Sequence, residues 1–578
     1  RHTQGTHLDP DSRAEVVLRE VVVSALGLQT LDRYIGRTLR RVLDHAQELE
    51  RTELDRMMNF DPGRLVSWIH EPGDEQDQPI TLGYKALGLK QLAASGYRIP
   101  EGFVLTTELF GALPAMGCQP LRDDSIVRIE SAIRELEEIC GLRMNDPDRL
   151  LTLSIRSGAA VSMPGLMMTF TNVGLNQELT EVLARKEDMG WTVWDSYRRF
   201  LQSWAMSAGI ERDVFDEIIQ GFKGRHEIKR KTDFTADQMR DIALSYKTRA
   251  EELGVFFVED PAKQIVACVR KVLDSWNASQ ARLYRSHIGI AEDWGTSVIV
   301  QRMVLGNLGP HAGSGVAFTR DPQEPHRRRV CLFGDFAICS QGEDLVGGLV
   351  NPLPLSEVQR HRSPSYRGVE HSLERDFPRI YERLLMLGEQ LAEHDSDPQE
   401  IEFTFESASD ADLYLLQKRP MVQALDEHPA VFDVRRTGEV QRPIAFGVGV
   451  AGGAYAGRVA INSAQIEELI AQSPDDDILL LRPDTVPEDI AMIVRVQGIL
   501  TARGGATSHA AITAKRLGRT AVVDCRALAV VERQEIARLG TEELHMGDWL
   551  SIDGRTGAIY RGRLPVARPT SKIQGGNR

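Results

Sequence analysis

The stretch from Thr501 to Gly518 reads TARGGATSHAAITAKRLG, and its residue types suit one kind of chemistry. An apolar run, Gly498 to Leu500, precedes it as a buried strand, and Arg519 to Val523 reads as the next strand. Between them Gly504 and Gly505 make a backbone turn and Thr507 and Ser508 are N-cap residues. Ala510 to Leu517 reads as a helix stopped by Gly518, with Lys515 and Arg516 in its last turn. His509 therefore sits in the first helical turn. The unbonded N–H groups and the positive end of the helix dipole disfavour an imidazolium there and favour an anion attached to the ring. A neutral histidine nucleophile that accepts a phosphoryl group needs that setting. The bland alternative is a histidine making ordinary hydrogen bonds at a helix start, and for an isolated histidine it is the better reading.

Two further stretches carry groups suited to phosphates. Leu151 to Arg156 reads as strand and delivers an arginine into a small-residue loop, Ser157 to Met168. Backbone N–H groups of such a loop can approach phosphates closely, with Arg156 adding bidentate charge. Glu400 to Glu406 alternates polar and apolar residues, and Leu413 to Arg419 pairs with it across Ser407 to Asp412. Period two puts Glu400 and Glu402 on one face and Gln417 and Arg419 on one face. Oxygen ligands beside a guanidinium suit a Mg²⁺-bound polyphosphate. An exposed hairpin alternates in the same way, so pattern alone leaves the two readings even.

The elements that must position these groups fill a chain of 578 residues, long enough for two to four domains. Hydrophobic residues make up 42% and charged residues 26%, ordinary for a globular protein, and the net charge of −14 argues against general nucleic-acid binding. Six scattered cysteines form no metal-ligand spacing and fit a reducing cytoplasm. No apolar run approaches the roughly 20 residues of a membrane span. Helical periodicity over 14–58 predicts an N-terminal helical cap within 1–75. A nucleotide-side domain is expected over 76–425, mainly helical over 177–286, with one helix running from Pro261 to Ser286. A polar, Pro-containing hinge is expected over 426–442, a histidine domain over 443–563 and a loose tail over 564–578.

The run GGATSHAA followed by KRLG resembles the phosphohistidine domain shared by pyruvate, phosphate dikinase, phosphoenolpyruvate synthase and enzyme I of the sugar phosphotransferase system. The loop from Ser154 to Thr169 resembles the dikinase loop over the ATP phosphates almost residue for residue, and the 400–419 hairpin matches the dikinase hairpin. From about Gly83 to Ile559 the motif order is that of the dikinases. The resemblance implies an α/β and α+β multidomain chain: an ATP-grasp domain with a helical insertion, followed by a swivelling phosphohistidine β/α domain. It implies a transferase of the EC 2.7.9.1 type, in which ATP phosphorylates His509 with release of AMP and orthophosphate is co-substrate. The phosphoryl group then passes to pyruvate to form phosphoenolpyruvate.

By the same resemblance His509, Arg156 and Arg419 are catalytic. Lys85, Arg156, Arg199, Glu343, Glu402, Gln417 and Arg419 bind nucleotide, Glu402 and Gln417 hold Mg²⁺, and Thr507 is a regulatory position. Three residues depart from the family: Tyr84 where a glycine is usual, Met168 for Asp, and Asp335 for Glu. The family's pyruvate-binding barrel is absent, so the chain is expected to be a fragment, to work with a separate domain, or to serve another small-molecule or protein acceptor. A non-catalytic nucleotide-sensing regulatory protein is the alternative from a different class. A cytoplasmic location, no membrane or nucleic-acid partner, and an open question of homodimer formation complete the expectations.

Overall fold

The computed structural model describes residues 62–567 apart from 74–76, 113–118, 162, 164, 322–329, 347–349, 351, 364–365, 367, 395–396, 422–429, 434–441, 475, 486–488, 506–508 and 532–534, together with Leu18 and Gly36. The N-terminal helices expected over 14–58, most of the hinge expected over 426–442, and Thr507 therefore lie outside the described residues, Leu18 and Gly36 aside.

Two antiparallel sheets face each other in the first part of the chain. One is built from β1 (Val66–Trp68), β2 (Gly102–Leu105), β3 (Leu153–Gly158), β4 (Thr169–Val173) and β5 (Ser297–Arg302), in the order β1-β2-β5-β3-β4. The other contains β6 (Gly313–Phe318), β7 (Phe333–Ile338), β8 (Leu353–Pro354), β9 (Gln399–Phe405) and β10 (Leu413–Pro420), ordered β10-β9-β6-β7-β8. Consecutive strands after the helices are split between the sheets: β5 lies in the middle of the first, and β6 and β7 lie in the second. Both sheets are buried on two faces: Val104 and Ile299 lie opposite Phe103 and Val300 in the first, and Val316 and Ala337 lie opposite Ala317 and Phe336 in the second. Phe170, Trp204 and Phe200 belong to the first core, and Phe336, Phe377, Phe403 and Phe405 to the second.

A helix, α1 (Pro79–Ala94), crosses between the sheets and changes direction at Gly83, where φ is 79° and ψ 157°. A Cβ at this position would lie 1.6 Å from the Gly158 carbonyl oxygen. Helices also run between β4 and β5, including α2 (Gly190–Met206) and α3 (Ser279–Ile288). The single helix expected from Pro261 to Ser286 is instead two, Pro261–Ser275 and α3. The cause is Trp276: it is 1% exposed, and its indole N–H donates to the Glu292 carbonyl at 2.8 Å. Burying that ring turns the chain, and Ala278 then adopts extended geometry to start α3.

The C-terminal part is an eight-stranded sheet. Its strands follow the two-stranded partner β11 (Val431–Phe432): β12 (Ala445–Phe446), β13 (Val448–Ala451), β14 (Ala454–Ala460), β15 (Ile478–Arg482), β16 (Gly498–Thr501) and β17 (Thr520–Val523). A small sheet of β18 (Leu528–Val531), β19 (Ile536–Leu539) and β20 (Glu542–Leu544) intervenes before β21 (Trp549–Asp553) and β22 (Ala558–Arg561) complete the large one. β14, β15, β16 and β17 pair in parallel. Leu479 and Leu481 pack on one side of this parallel core, Ile478 and Leu480 on the other. Burial on both faces explains why the strand reads as one apolar run without alternation. Short helix α4 (Ile490–Ile493) follows β15, and α5 (His509–Arg516) connects β16 to β17.

The tail expected to be loose from Leu564 begins in order. Leu564 is 7% exposed, and β23 (Val566–Ala567) pairs antiparallel with β11. Phe432 of β11 packs edge-on against Tyr560 at 5.3 Å, which fastens this part of the expected hinge to the histidine domain. Among the described residues, no helix is long and apolar enough to cross a membrane, and no disulfide joins the five described cysteines.

Gly83 gives a direct test of how α1 is seated. Its φ and ψ lie in a region that only glycine enters readily, at a cost to other residues of about 1–3 kcal/mol. Gly83→Ala adds a collision with rigid backbone, so the denaturation midpoint should fall by at least that free energy with an unchanged denaturant slope.

Candidate active site

The two sheets, the helix between them and the short helix bearing Glu343 bring six of the sequence-selected residues to one place. A cavity of about 500 Å³ is lined by Lys85, Arg156, Glu343, Glu402, Gln417 and Arg419, together with residues not singled out from sequence. A second space of about 300 Å³ adjoins it and shares Lys85, Ser157, Met163, Met167, Gln417 and Arg419. Its floor is the small-residue turn Ala159-Ala160-Val161.

Pairing of β9 with β10 sets the hairpin's chemistry. Glu402 stands opposite Gln417 and Glu400 opposite Arg419, after an irregularity between Leu415 and Gln417. That shift is why both pairs arrive at the cavity. The Arg419 guanidinium donates to Glu400. Arg156, projecting from β3, reaches across to the other sheet: Nη2 donates to Gln301 Oε1 at 2.7 Å and to the Leu416 carbonyl at 2.6 Å. One guanidinium thus joins both sheets at the cavity wall. Gln301 and Glu400 are site residues whose only sequence signal was strand periodicity.

Lys85 comes from α1 just beyond the Gly83 bend. Burial, reinforced by Arg156 and then Arg419 and Arg516 and opposed by Glu402, lowers its pKa to about 8. The ammonium is therefore held in a space already rich in positive charge. An anion entering beside it would favour the charged form.

Arg199 is placed differently from the sequence expectation. It is not in the cavity wall but behind it, 5% exposed, on α2. Its Nε donates to Asp195 at 3.0 Å, another nitrogen donates to Asp344, and Glu343 lies 3.9 Å away. Lys231 bonds both Asp195 and Asp344, at 3.2 and 2.8 Å, and Arg198 adds a contact to Asp195 at 2.8 Å. Burial pushes Asp195 upward, but Arg199, Lys231 and Arg198 outweigh it and hold the carboxyl well below its ordinary value. Three cations face three acids, and only Glu343, which accepts from Thr171 at 3.2 Å, also borders the cavity. Arg199 acts on the cavity through Glu343.

The residues fit a magnesium ion bound with a nucleotide. Glu402 and Gln417 present a carboxylate and an amide oxygen at paired positions in the wall. Among the described residues there is no group of three or more His, Cys, Asp or Glu able to hold a metal. An ion here would draw most of its ligands from phosphate oxygens, as Mg²⁺ commonly does.

The histidine domain closes the site from a third side. Ile512 of α5 and Thr485 line the larger cavity, and Arg516 lines the smaller one. An apolar cluster joins the parts: Ile490 is buried with Ala159, Met163, Leu166, Trp276 and Tyr284, and Val494 and Leu517 pack against them. The loop entering α5 touches the second sheet. Asp335, at a position where sequence reasoning noted a departure, accepts from the Tyr366 hydroxyl, and its Oδ2 lies 2.6 Å from where a Cβ at Gly505 would stand. His509 begins α5, as expected from its capping residues; Thr507 lies outside the described residues.

Two measurements follow from this geometry. If Lys85 meets the phosphates as the sequence resemblance implies, nucleotide affinity should be constant below about pH 8 and weaken as the pH rises through the pKa of about 8. Lys85→Arg, which stays charged, should lose that pH dependence in isothermal titrations. Gly505→Ala should slow any step that needs the domains docked while leaving thermal stability unchanged. The double variant with Asp335→Ala should recover part of the loss, because removing the carboxylate opens the space. Additive losses would show that the two positions do not meet.

Residues 121–375 match the family model described as pyruvate phosphate dikinase, AMP/ATP-binding domain, and residues 474–557 match the model described as PEP-utilising enzyme, mobile domain. The pyruvate, phosphate dikinase of Clostridium symbiosum is 33% identical over 538 residues, which are 86% of this chain and 58% of that protein. The dikinase of Rhizobium meliloti is 32% identical over 540 residues, 87% of this chain and 59% of the relative. The chloroplastic pyruvate, phosphate dikinase 1 of Oryza sativa subsp. japonica is 33% identical over 520 residues, with 84% and 52% covered. The chain thus spans a little more than half the length of these relatives. Through its nucleotide-binding and mobile domains, it belongs to the pyruvate, phosphate dikinase-like proteins.

Proposed function

We propose that this chain carries out the ATP-dependent half of a dikinase reaction, with His509 as the phosphoryl carrier. The observation that carries the reading is the cavity between the sheets, where Lys85, Arg156 and Arg419 converge beside Glu402 and Gln417 and α5 contributes to the wall. The names of the relatives support the substrate: ATP as donor, orthophosphate as co-substrate, and pyruvate as final acceptor.

In the proposed step a neutral imidazole nitrogen of His509 forms a bond to the β-phosphorus. The bond from that phosphorus to the oxygen bridging it to the α-phosphorus breaks, and its electron pair leaves with AMP. Lys85, Arg156 and Arg419 offset charge on the transferring oxygens, and their positions are fixed before the reaction by contacts within the protein. Glu402 and Gln417 would hold Mg²⁺, which when bound neutralises polyphosphate charge. Orthophosphate then takes the outer phosphoryl group, leaving one on the histidine. Passing that group to pyruvate requires α5 to leave the cavity, a movement of the swivelling kind.

The test is labelling of the chain with [β-³²P]ATP and Mg²⁺. The expected result is an acid-labile, base-stable phosphohistidine with release of AMP, abolished by His509→Ala. Arg419→Ala should slow labelling by a barrier of about 2.7–4 kcal/mol, the usual consequence of removing one preorganised donor. Label arriving only from the γ position would indicate an ordinary kinase. Tight nucleotide binding without AMP release would favour a nucleotide-sensing protein instead.

A further inference from the structure

Helix α5 brings a charged residue, Arg516, as well as Ile512 to the cleft. His509 and Arg516 are seven residues apart, two turns, and so share one stripe of the helix with Ile512 between them. The rise between them is about 10 Å at 1.5 Å per residue. Ile512 lines the larger cavity and Arg516 the smaller, so this stripe follows the cleft along both. Arg516 stands in one wall with Tyr84, Lys85, Gln417 and Arg419.

The charge balance of this space differs from that of the neighbouring buried network. Around Arg199 three cations face three acids, and the charges cancel. Among the described residues, the cleft is lined by seven cations, including Lys85, Arg156, Arg419 and Arg516, against the three acids Glu343, Glu400 and Glu402. Surplus cations in a partly desolvated cavity call for a polyanion. Lys85, Arg156 and Arg419 belong to the nucleotide-binding sheets and α1, whereas Arg516 arrives from the other domain. Burial lowers the Arg516 pKa, Arg419 adds to the effect, and a hydrogen bond with the buried Tyr284 opposes it.

We propose that Arg516 binds the nucleotide's phosphate chain only while α5 is docked, so that the attacking histidine and one stabilising charge enter and leave the site together. The proposal rests on the reading of His509 as carrier and deepens it. An interaction made only in the docked state strengthens the transfer step more than ground-state binding. Its withdrawal with the helix loosens the hold on AMP.

Single-turnover labelling of the full chain with [β-³²P]ATP is the first test. Arg516→Ala should lower the rate at saturating ATP by about 10²–10³-fold, with little change in the ATP concentration giving half that rate. Arg516→Lys should restore a substantial part. A wild-type rate in Arg516→Ala would overturn the proposal, as would a loss confined to half-saturation. Equal losses in both variants with equal falls in melting temperature would also overturn it, by assigning Arg516 a packing role beside Tyr284.

Hydrogen exchange with the Mg²⁺ complex of α,β-methylene-ATP, whose α,β bridge cannot be cleaved in the proposed step, separates this proposal from the proposed function. The analogue should protect the α5 amides in the wild-type chain and not in Arg516→Ala. That result in a chain that takes no label would overturn the carrier reading and leave the Arg516 contact standing. Equal protection in both chains would sink the contact itself.

Discussion

Unbalanced positive charge in a half-enclosed space is the constraint on which the rest of this structure depends. Like charges about 4 Å apart repel by about 4 kcal/mol at an effective dielectric constant of 20. Side chains free to move would separate. Here each arginine is fixed by an acceptor: Arg156 by Gln301 and the Leu416 carbonyl, Arg419 by Glu400. Those acceptors lie on different sheets, so the charge can be gathered only if the sheets are held at the right separation. The bend of α1 at Gly83, pressed against the Gly158 carbonyl, sets Lys85 in the same space. Fold and site are therefore one problem in packing.

The balanced network beside the cavity shows the other use of buried charge. Asp195 and Asp344 are both 0% exposed; Arg198, Arg199 and Lys231 pair with the first, and Arg199 and Lys231 with Oδ2 of the second. Removing one partner from such a group commonly costs about 3–5 kcal/mol, because it strands a charge without water. This network ties α2 to the helix bearing Glu343 and makes a rigid back wall. Rigidity behind the cavity and surplus charge within it are complementary: the first keeps the second from relaxing.

Features written in local pattern were legible in the sequence. The apolar run Ile478 to Leu481, the helix after Gly505 and the 400–419 hairpin all follow from period or end signals, and the structure has each. The pairing of Glu402 with Gln417 was not fixed by period alone: the irregularity between Leu415 and Gln417 moves Gln417 off the face that buries Leu413 and Leu415. What stayed hidden depends on distant contacts. Nothing local distinguishes Arg199, bonded inside the wall, from an arginine facing the cavity, since Asp344 and Lys231 are far away in sequence. The break at Trp276 was masked by helical spacing on both sides and appears only once the indole finds the Glu292 carbonyl. Arg516 read as a cation suited to a helix C-terminus, and only docking of α5 shows a second use.

Docking itself must be reversible if the proposed carrier is to serve two sites, and the interface is built accordingly. Its apolar part is small, centred on Ile490 with Val494 and Leu517 at the margin. Against that gain stands the burial of Lys515, 7% exposed, with its ammonium 5.6 Å from the centre of the Phe318 ring. Burial lowers the Lys515 pKa, while Glu400 favours its charged form and Arg419 opposes it. Phe318 and Glu400 are cross-strand partners, so this ammonium approaches the same hairpin that carries the site. Each docking event thus adds positive charge to an already cationic cleft. Without a polyanion the repulsion among cations opposes closure, while the apolar cluster, the Lys515–Phe318 contact and the Arg516–Tyr284 hydrogen bond favour it. On the proposed function, the phosphates of bound ATP reverse the electrostatic balance, so a ligand that interacts more favourably with the docked state shifts the population toward it.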